Sequence, residues 1–311
     1  MTRSRRPLLL VGAALAASLT LAACGGGGGA GAAGGTVAPA GTISVVASTN
    51  VYGDIAQAVG GAYVEVHAII SKPGADPHSY EANAQDKLAV SKAQIGIENG
   101  GGYDGFFGQL AAGQLNDKEI INVSELSGLD TGADFNEHVW YSLPTMAKLA
   151  DELAARFSKA LPADASAFTA QAGAFKDKLT GLDTRLAAMK KTRDGEGVAI
   201  TEPVPLYMLE QAGLVNKTPA KFTEAVENGS DAPVSAVTDT MALLASKSIV
   251  LLAYNEQTGS PQTEQAKSAA VAAGVPVVNF TETLPQGSSY LAWMAANVSN
   301  LEQVLNAAAA K

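Results

Sequence analysis

The chain has 311 residues, with 21 basic and 30 acidic side chains, a net charge of −9 and one cysteine, Cys24. A lone cysteine excludes an internal disulfide, so the fold must be held by its core. The acidic balance excludes the basic surface that nucleic acid requires and is compatible with attracting cations, as is any generic acidic surface.

The chain opens Met-Thr-Arg-Ser-Arg-Arg and continues with an apolar run over 7–21 and small residues before Cys24. A basic start, a short apolar stretch and a small-residue cleavage region predict an export signal over 1–23. The run is too short and too rich in Ala and Gly for a good membrane span. Leu21-Ala22-Ala23-Cys24 resembles the bacterial lipobox, which implies that Cys24 becomes the lipidated N-terminus of the mature protein. Loss of 1–23 removes three arginines and no acids, leaving 18 basic against 30 acidic side chains, or −12. Residues 24–41 are almost all Gly and Ala and predict a flexible tether. No Gly-Lys-Ser/Thr follows this glycine run, so it is not a phosphate loop.

About 270 residues remain, enough for two domains or one large one. A β-rich run at 42–47 ends in Ser48-Thr49-Asn50 and is followed by a predicted helix over 51–59. Alternating Val64, Val66, Ala68 and Ile70 predict a strand over 64–70, with His67 on its opposite parity. A Pro/Gly-punctuated loop follows, Gly74-Ala75-Asp76-Pro77-His78-Ser79-Tyr80-Glu81, of the kind that aims a side chain into a crevice. A helix over 83–93 capped by Asn83, a strand over 94–98, Asn99-Gly100-Gly101-Gly102, a short helix over 106–110 and a strand over 119–123 come next. A loop then carries His138, and a helix over 142–161 stops at Pro162.

The rhythm changes at 164–191. Phe168, Phe175, Leu179, Leu182, Leu186 and Met189 recur at helical steps, predicting one amphipathic helix roughly 40 Å long. Strands over 198–201, 249–254 and 275–280 then alternate with helices over 206–212, 235–246, 263–273 and 289–310. This pattern predicts an α/β fold of two parallel-sheet lobes, 42–162 and 194–311, joined by a linker helix over 163–193.

In open parallel sheets, ligands sit beyond the carboxyl ends of the strands. Four candidates follow strand ends, His78 and His138 in the first lobe and Glu202 and Glu282 in the second. Two imidazoles and two carboxylates can hold a first-row divalent ion such as zinc or manganese, and the shell is neutral with the ion bound. Each side chain also has an ordinary reading. His78 can bond loop backbone, His138 can pack on Trp140, Glu202 can favour a helix dipole, and Glu282 can be a solvated turn residue.

Ser48-Thr49-Asn50, Asp76-Pro77-His78-Ser79-Tyr80-Glu81, Asn99-Gly100-Gly101, His138-Val139-Trp140, Thr201-Glu202 before Tyr207-Met208, Phe280-Thr281-Glu282 and Ser289-Tyr290-Leu291 carry a resemblance. The chain resembles the metal-receptor solute-binding proteins of bacterial zinc/manganese ABC importers, the cluster A-I or cluster 9 family. The resemblance implies two α/β lobes bridged by a rigid helix, with a metal cleft between them. It implies His78 and His138 as the first two ligands, Glu202 where zinc receptors often carry histidine, and Glu282 where aspartate is usual. Asn-Glu precedes His138 where Asp-Pro is common, and the His-rich acidic loop of many zinc receptors is missing from the first lobe. Carboxylate in place of imidazole makes a harder site, which tips the expected cargo from Zn²⁺ toward Mn²⁺. The implied protein is no enzyme but a monomeric receptor, lipid-anchored at Cys24 to the outer face of the cytoplasmic membrane, which delivers metal to an ABC permease. The alternatives are a metal-dependent hydrolase and a binding protein for an organic solute. No His-Glu-x-x-His or Gly-x-Ser-x-Gly motif supports the first, and the few aromatics disfavour the second.

Overall fold

The computed structural model describes residues 41–72, 75, 77–132, 135–246 and 248–309, with backbone only at 308 and 309. The expected signal peptide, Cys24 and all but the last residue of the tether lie outside the described residues, as do Gly74 and Asp76.

The first half of the fold runs β1 (Ile43–Thr49), α1 (Asn50–Gly60), β2 (Val64–Ile70), α2 (Ala84–Lys92), β3 (Ile95–Glu98), α3 (Gly105–Ala111), β4 (Ile120–Asn122), α4 (Val123–Ser127) and α5 (Leu143–Ala160). Its four strands are all parallel, in the order β2-β1-β3-β4. Val45 of the central β1 pairs with Val66 on one side and Ile95 on the other. Strand β1 is almost wholly buried, as expected for a parallel sheet covered on both faces. His67 is exposed, in keeping with its parity in β2. Asn83 caps α2 as its sequence predicts, accepting from Gln85 N at 2.8 Å while Asp86 accepts from Asn83 N at 2.8 Å.

Helix α6 (Ala165–Arg193) is the long helix, 29 residues or roughly 44 Å. It buries Phe168, Ala172, Phe175, Leu179, Leu182, Leu186 and Met189, alternating steps of four and three that keep one stripe facing the core. Phe168 meets the rings of Tyr63 and Phe157, and Phe175 stacks on Tyr290. Lys190, Lys191 and Arg193 in the last turn complement the negative end of the helix dipole.

The second half runs β5 (Gly197–Ile200), α7 (Leu206–Gln211), β6 (Val215–Asn216), α8 (Ala220–Glu227), α9 (Val234–Ala245), β7 (Ile249–Asn255), α10 (Pro261–Ala273), β8 (Val277–Phe280) and α11 (Tyr290–Ala309). Its parallel sheet has the order β6-β5-β7-β8, the same pattern as the first. The predicted elements appear with ends shifted by up to two residues, while α4, β6 and α8 were not anticipated. All three are short, so too few residues repeat for periodicity to declare them.

A single hydrophobic core runs from the first sheet through α5, α6 and α11 to β5 and β7. Polar contacts bind the halves as well. Asn50 donates to the Leu284 carbonyl at 3.0 Å and accepts from Leu284 N at 3.1 Å, while Asp54 accepts from Tyr290 N at 2.7 Å. The Tyr141 hydroxyl donates to Thr281 O and that of Tyr290 to Trp140 O. These bonds bring the loop after β8 against the amino end of α1 and the loop before α5.

Candidate metal centre

The loop between α4 and α5 carries His138, which is completely buried. Its position is set from beneath by Asn99, whose amide donates to the Glu137 carbonyl at 3.0 Å. Asn99 in turn opens a turn in which Gly100 and Gly101 have φ of 70° and 65°, and a Cβ on Gly100 would collide with the Asn122 side chain. Only glycine meets both demands. That turn delivers Tyr103, a buried ring lying edge-on to His78 at 5.0 Å and to His138 at 5.8 Å, and tilted on Trp140 at 4.7 Å. His138 also meets Trp140 at 5.0 Å, so the packing that the sequence offered as an alternative to ligation is present alongside the site geometry.

The tautomer of His138 follows from its neighbours. Asn136 Nδ2 donates to the Pro203 carbonyl at 3.1 Å, so the other end of that amide, Oδ1, is the atom 2.7 Å from His138 Nδ1. An oxygen there requires a proton on Nδ1, which leaves Nε2 with a lone pair. Nε2 is buried and makes no hydrogen bond among the described residues. Burial first, and the neighbouring His78 second, push the pKa of His138 down to about 3, so the ring is neutral at ordinary pH. His78, in the loop after β2, is the more open of the two, with 31% of its side chain exposed.

The carboxylates come from the second sheet. Glu202 lies two residues past β5 and Glu282 two past β8, both buried. Asn255, the last residue of β7, divides its amide between them. Its Nδ2 donates to Glu202 Oε2 at 2.6 Å and to Glu282 Oε1 at 2.7 Å. The Thr258 hydroxyl also donates to Glu202 Oε2, and Gln257 holds the backbone of Glu282 by accepting its N–H at 2.6 Å. Glu282 Oε2 accepts from the Tyr103 hydroxyl at 3.4 Å, a contact that joins the two halves. Burial first, and the Glu282 charge second, raise the Tyr103 pKa well above its usual value, so the phenol stays a donor.

Three of the four side chains singled out by sequence come together. Donor atoms of His78, His138 and Glu282 all lie within 4.8 Å of one another. Glu202 does not join that group and is connected to it through Asn255. One acid that sequence reasoning passed over lies close instead. Glu227, the last residue of α8, places Oε1 3.4 Å from His138 Nε2 and 3.7 Å from His78 Nε2. The only sequence signal for it was Pro219 opening a stretch with Phe222 and Val226 four apart, a faint mark of a short helix that would aim its last residues at the strand ends.

The family described as zinc-uptake complex component A, periplasmic (ZnuA) has a model that matches residues 45–304. The chain belongs to the ZnuA family. It is 32% identical over 147 residues to the manganese-binding lipoprotein MntA of Bacillus subtilis, an alignment covering 45% of this chain and 48% of that one. It is 28% identical over 155 residues to the metal ABC transporter substrate-binding lipoprotein ScbA of Streptococcus cristatus, covering 45% and 49%. The chain thus spans about half the length of the curated relatives it matches. Among solved structures, the ZnuA-family fold seen here is similar to the periplasmic zinc-binding protein TroA of Treponema pallidum, with a TM-score of 0.68 at 19% identity over 86% of this chain and 99% of that one. The SBP FpvC of Pseudomonas aeruginosa in complex with Mn²⁺ is similar at a TM-score of 0.70 and 19% identity, over 85% and 98%.

Proposed function

We propose that this ZnuA-family chain is an extracytoplasmic receptor that captures Mn²⁺ or Zn²⁺ and delivers it to an ABC permease in the cytoplasmic membrane. The observation that carries this reading is the convergence of a buried neutral imidazole, a second imidazole at the surface and a buried carboxylate within 4.8 Å. His78, His138 and Glu282 bind the cation, and Glu202 is the fourth donor, swung in from its place beside Asn255. Two imidazoles and two carboxylates can balance the charge of a divalent ion, which limits the penalty of burying it. The lone pair on His138 Nε2 and the prepared Glu282 oxygens replace the water that the ion gives up. Similarity to a manganese-binding lipoprotein and to a Mn²⁺-bound solute-binding protein supports Mn²⁺ as cargo, and the family description supports Zn²⁺.

The remaining assignments belong to the same proposal. Residues 42–162 and 194–311 act as lobes and 163–193 as the stiff link between them, so closure over the ion is small. Residues 1–23 are the export signal, Cys24 carries the lipid that holds a monomer at the membrane, and 24–41 are the tether. Elemental analysis of the purified protein, followed by competition between the two metals, tests the central claim. One equivalent of manganese or zinc, lost in the double variant His78→Ala with His138→Ala, is the expected result. A metal-free protein that takes up neither ion overturns it.

A further inference from the structure

We propose that Glu227 is a direct donor to the cation, a carboxylate supplied by α8 in addition to the four side chains named above. The inference rests on the receptor reading and enlarges its ligand set.

The position of Glu227 is built into the fold. Helix α8 is anchored by Phe222 and Val226, which are buried in the satellite core formed with Ala199 of β5 and Leu252 of β7. A helix end fixed at two successive turns holds its last residue in place. From there Glu227 Oε1 faces both imidazoles, 3.4 Å from His138 Nε2 and 3.7 Å from His78 Nε2. Two donors bound to one ion at about 2.0–2.2 Å lie about 3.0 Å apart at right angles and about 3.5 Å apart at the tetrahedral angle. The contact with His138 at 3.4 Å therefore has the spacing of donors that share an ion, and the contact with His78 at 3.7 Å is slightly wider.

The tautomer of His138 points the same way. With Nδ1–H committed to Asn136, His138 presents a lone pair at Nε2, and the carboxylate oxygen opposite presents another. Two acceptors facing each other at 3.4 Å are drawn together by a proton or a metal cation between them. A divalent cation at that point turns both contacts into attractions. Glu227 also forms a group with His78 and Glu137, whose donor atoms lie within 4.8 Å of one another on the more exposed side of the site. An incoming ion would meet these acids before it reaches His138 and Glu282.

A carboxylate added to two imidazoles hardens the site and raises the number of oxygen donors above what tetrahedral zinc uses. Glu227 thus favours manganese relative to zinc. The test is titration of the purified, metal-stripped protein and of Glu227→Gln with Mn²⁺ and with Zn²⁺, together with X-ray absorption at the manganese edge and thermal melting without metal. The glutamine keeps the size of the side chain and removes its charge, so the metal-free melting temperature should stay put. Mn²⁺ affinity should fall by more than about tenfold, with a smaller loss for Zn²⁺ and one fewer oxygen neighbour around manganese. Unchanged affinities and an unchanged absorption spectrum in Glu227→Gln overturn the proposal. If His138→Ala abolishes binding while Glu227→Gln does not, the receptor reading stands and Glu227 alone falls. If the unaltered protein binds neither metal, both fall together.

Discussion

His138 is wedged among the rings of Tyr103 and Trp140 with one amide at its back, whereas Glu202 and Glu282 share the amide of Asn255 and a fringe of hydroxyls. The rings around His138 are apolar and can be so because a neutral ring needs only one hydrogen bond to settle its proton. The carboxylate half cannot be dry. A buried carboxylate without donors carries a heavy penalty, so β7 ends in a side chain that serves two of them at once. His138 is thus prepared for a cation by excluding water and the carboxylates by replacing it.

If that division is right, the largest loss should come from the dry half. His138→Ala should lower metal affinity by more than about 100-fold, beyond what loss of a merely supporting partner removes, as read by calorimetric titration. Retention of a full equivalent of tightly held metal would defeat the whole arrangement. Asn255→Ala comes next. It leaves two buried carboxylates without their shared donor, so affinity should drop about 10–100-fold, and the metal-free protein should lose about 1–3 kcal/mol in urea unfolding. A variant that unfolds like the parent would mean that water replaces the amide without loss.

Asn136→Ala should have a smaller effect, about tenfold on affinity, because the aromatic packing still orients the ring and only the proton on Nδ1 is released from its acceptor. Its signature is a changed nitrogen shift of His138 in the metal-free protein, and an unaltered spectrum would show that the tautomer is set elsewhere.

The smallest expected effect lies on an acid outside the proposed site. Burial first, and Asp104 second, push the pKa of Glu98 up to about 7, while Asn122 donates to it at 3.0 Å. The folded state therefore binds this proton more tightly than the unfolded chain does. Its contribution is intact below about pH 4.5 and is lost as pH rises to about 7. Glu98→Gln, which keeps an acceptor for Asn122, should match the parent in urea midpoint at pH 4 and exceed it modestly at pH 8. An advantage that is the same at both pH values would contradict the linkage.

The second half shows where reading a chain in order succeeds and where it stops. Helix α6 was legible because its stripe of Phe, Leu and Met repeats over three heptads, and a repeat that long has one interpretation. Helix α8 buries only Phe222 and Val226 of its apolar side chains and went unseen, taking Glu227 with it. The like order of strands in the two sheets was equally hidden, since pairing is set by backbone and leaves little trace in side chains. Asn136 stands where Asp-Pro is common in the resembling family, and only the Pro203 carbonyl across the cleft shows which end of its amide faces the histidine.

What the sequence by itself determined is the kind of fold and the kind of donor. Alternating apolar runs, helix caps and a long amphipathic stretch are local properties, and local energetics suffice to write them down. The tertiary structure alone decided which donors meet. His78 and His138 come within reach of an acid of α8 and an acid past β8 because two sheets share one core, and that choice depends on packing between residues far apart in the sequence.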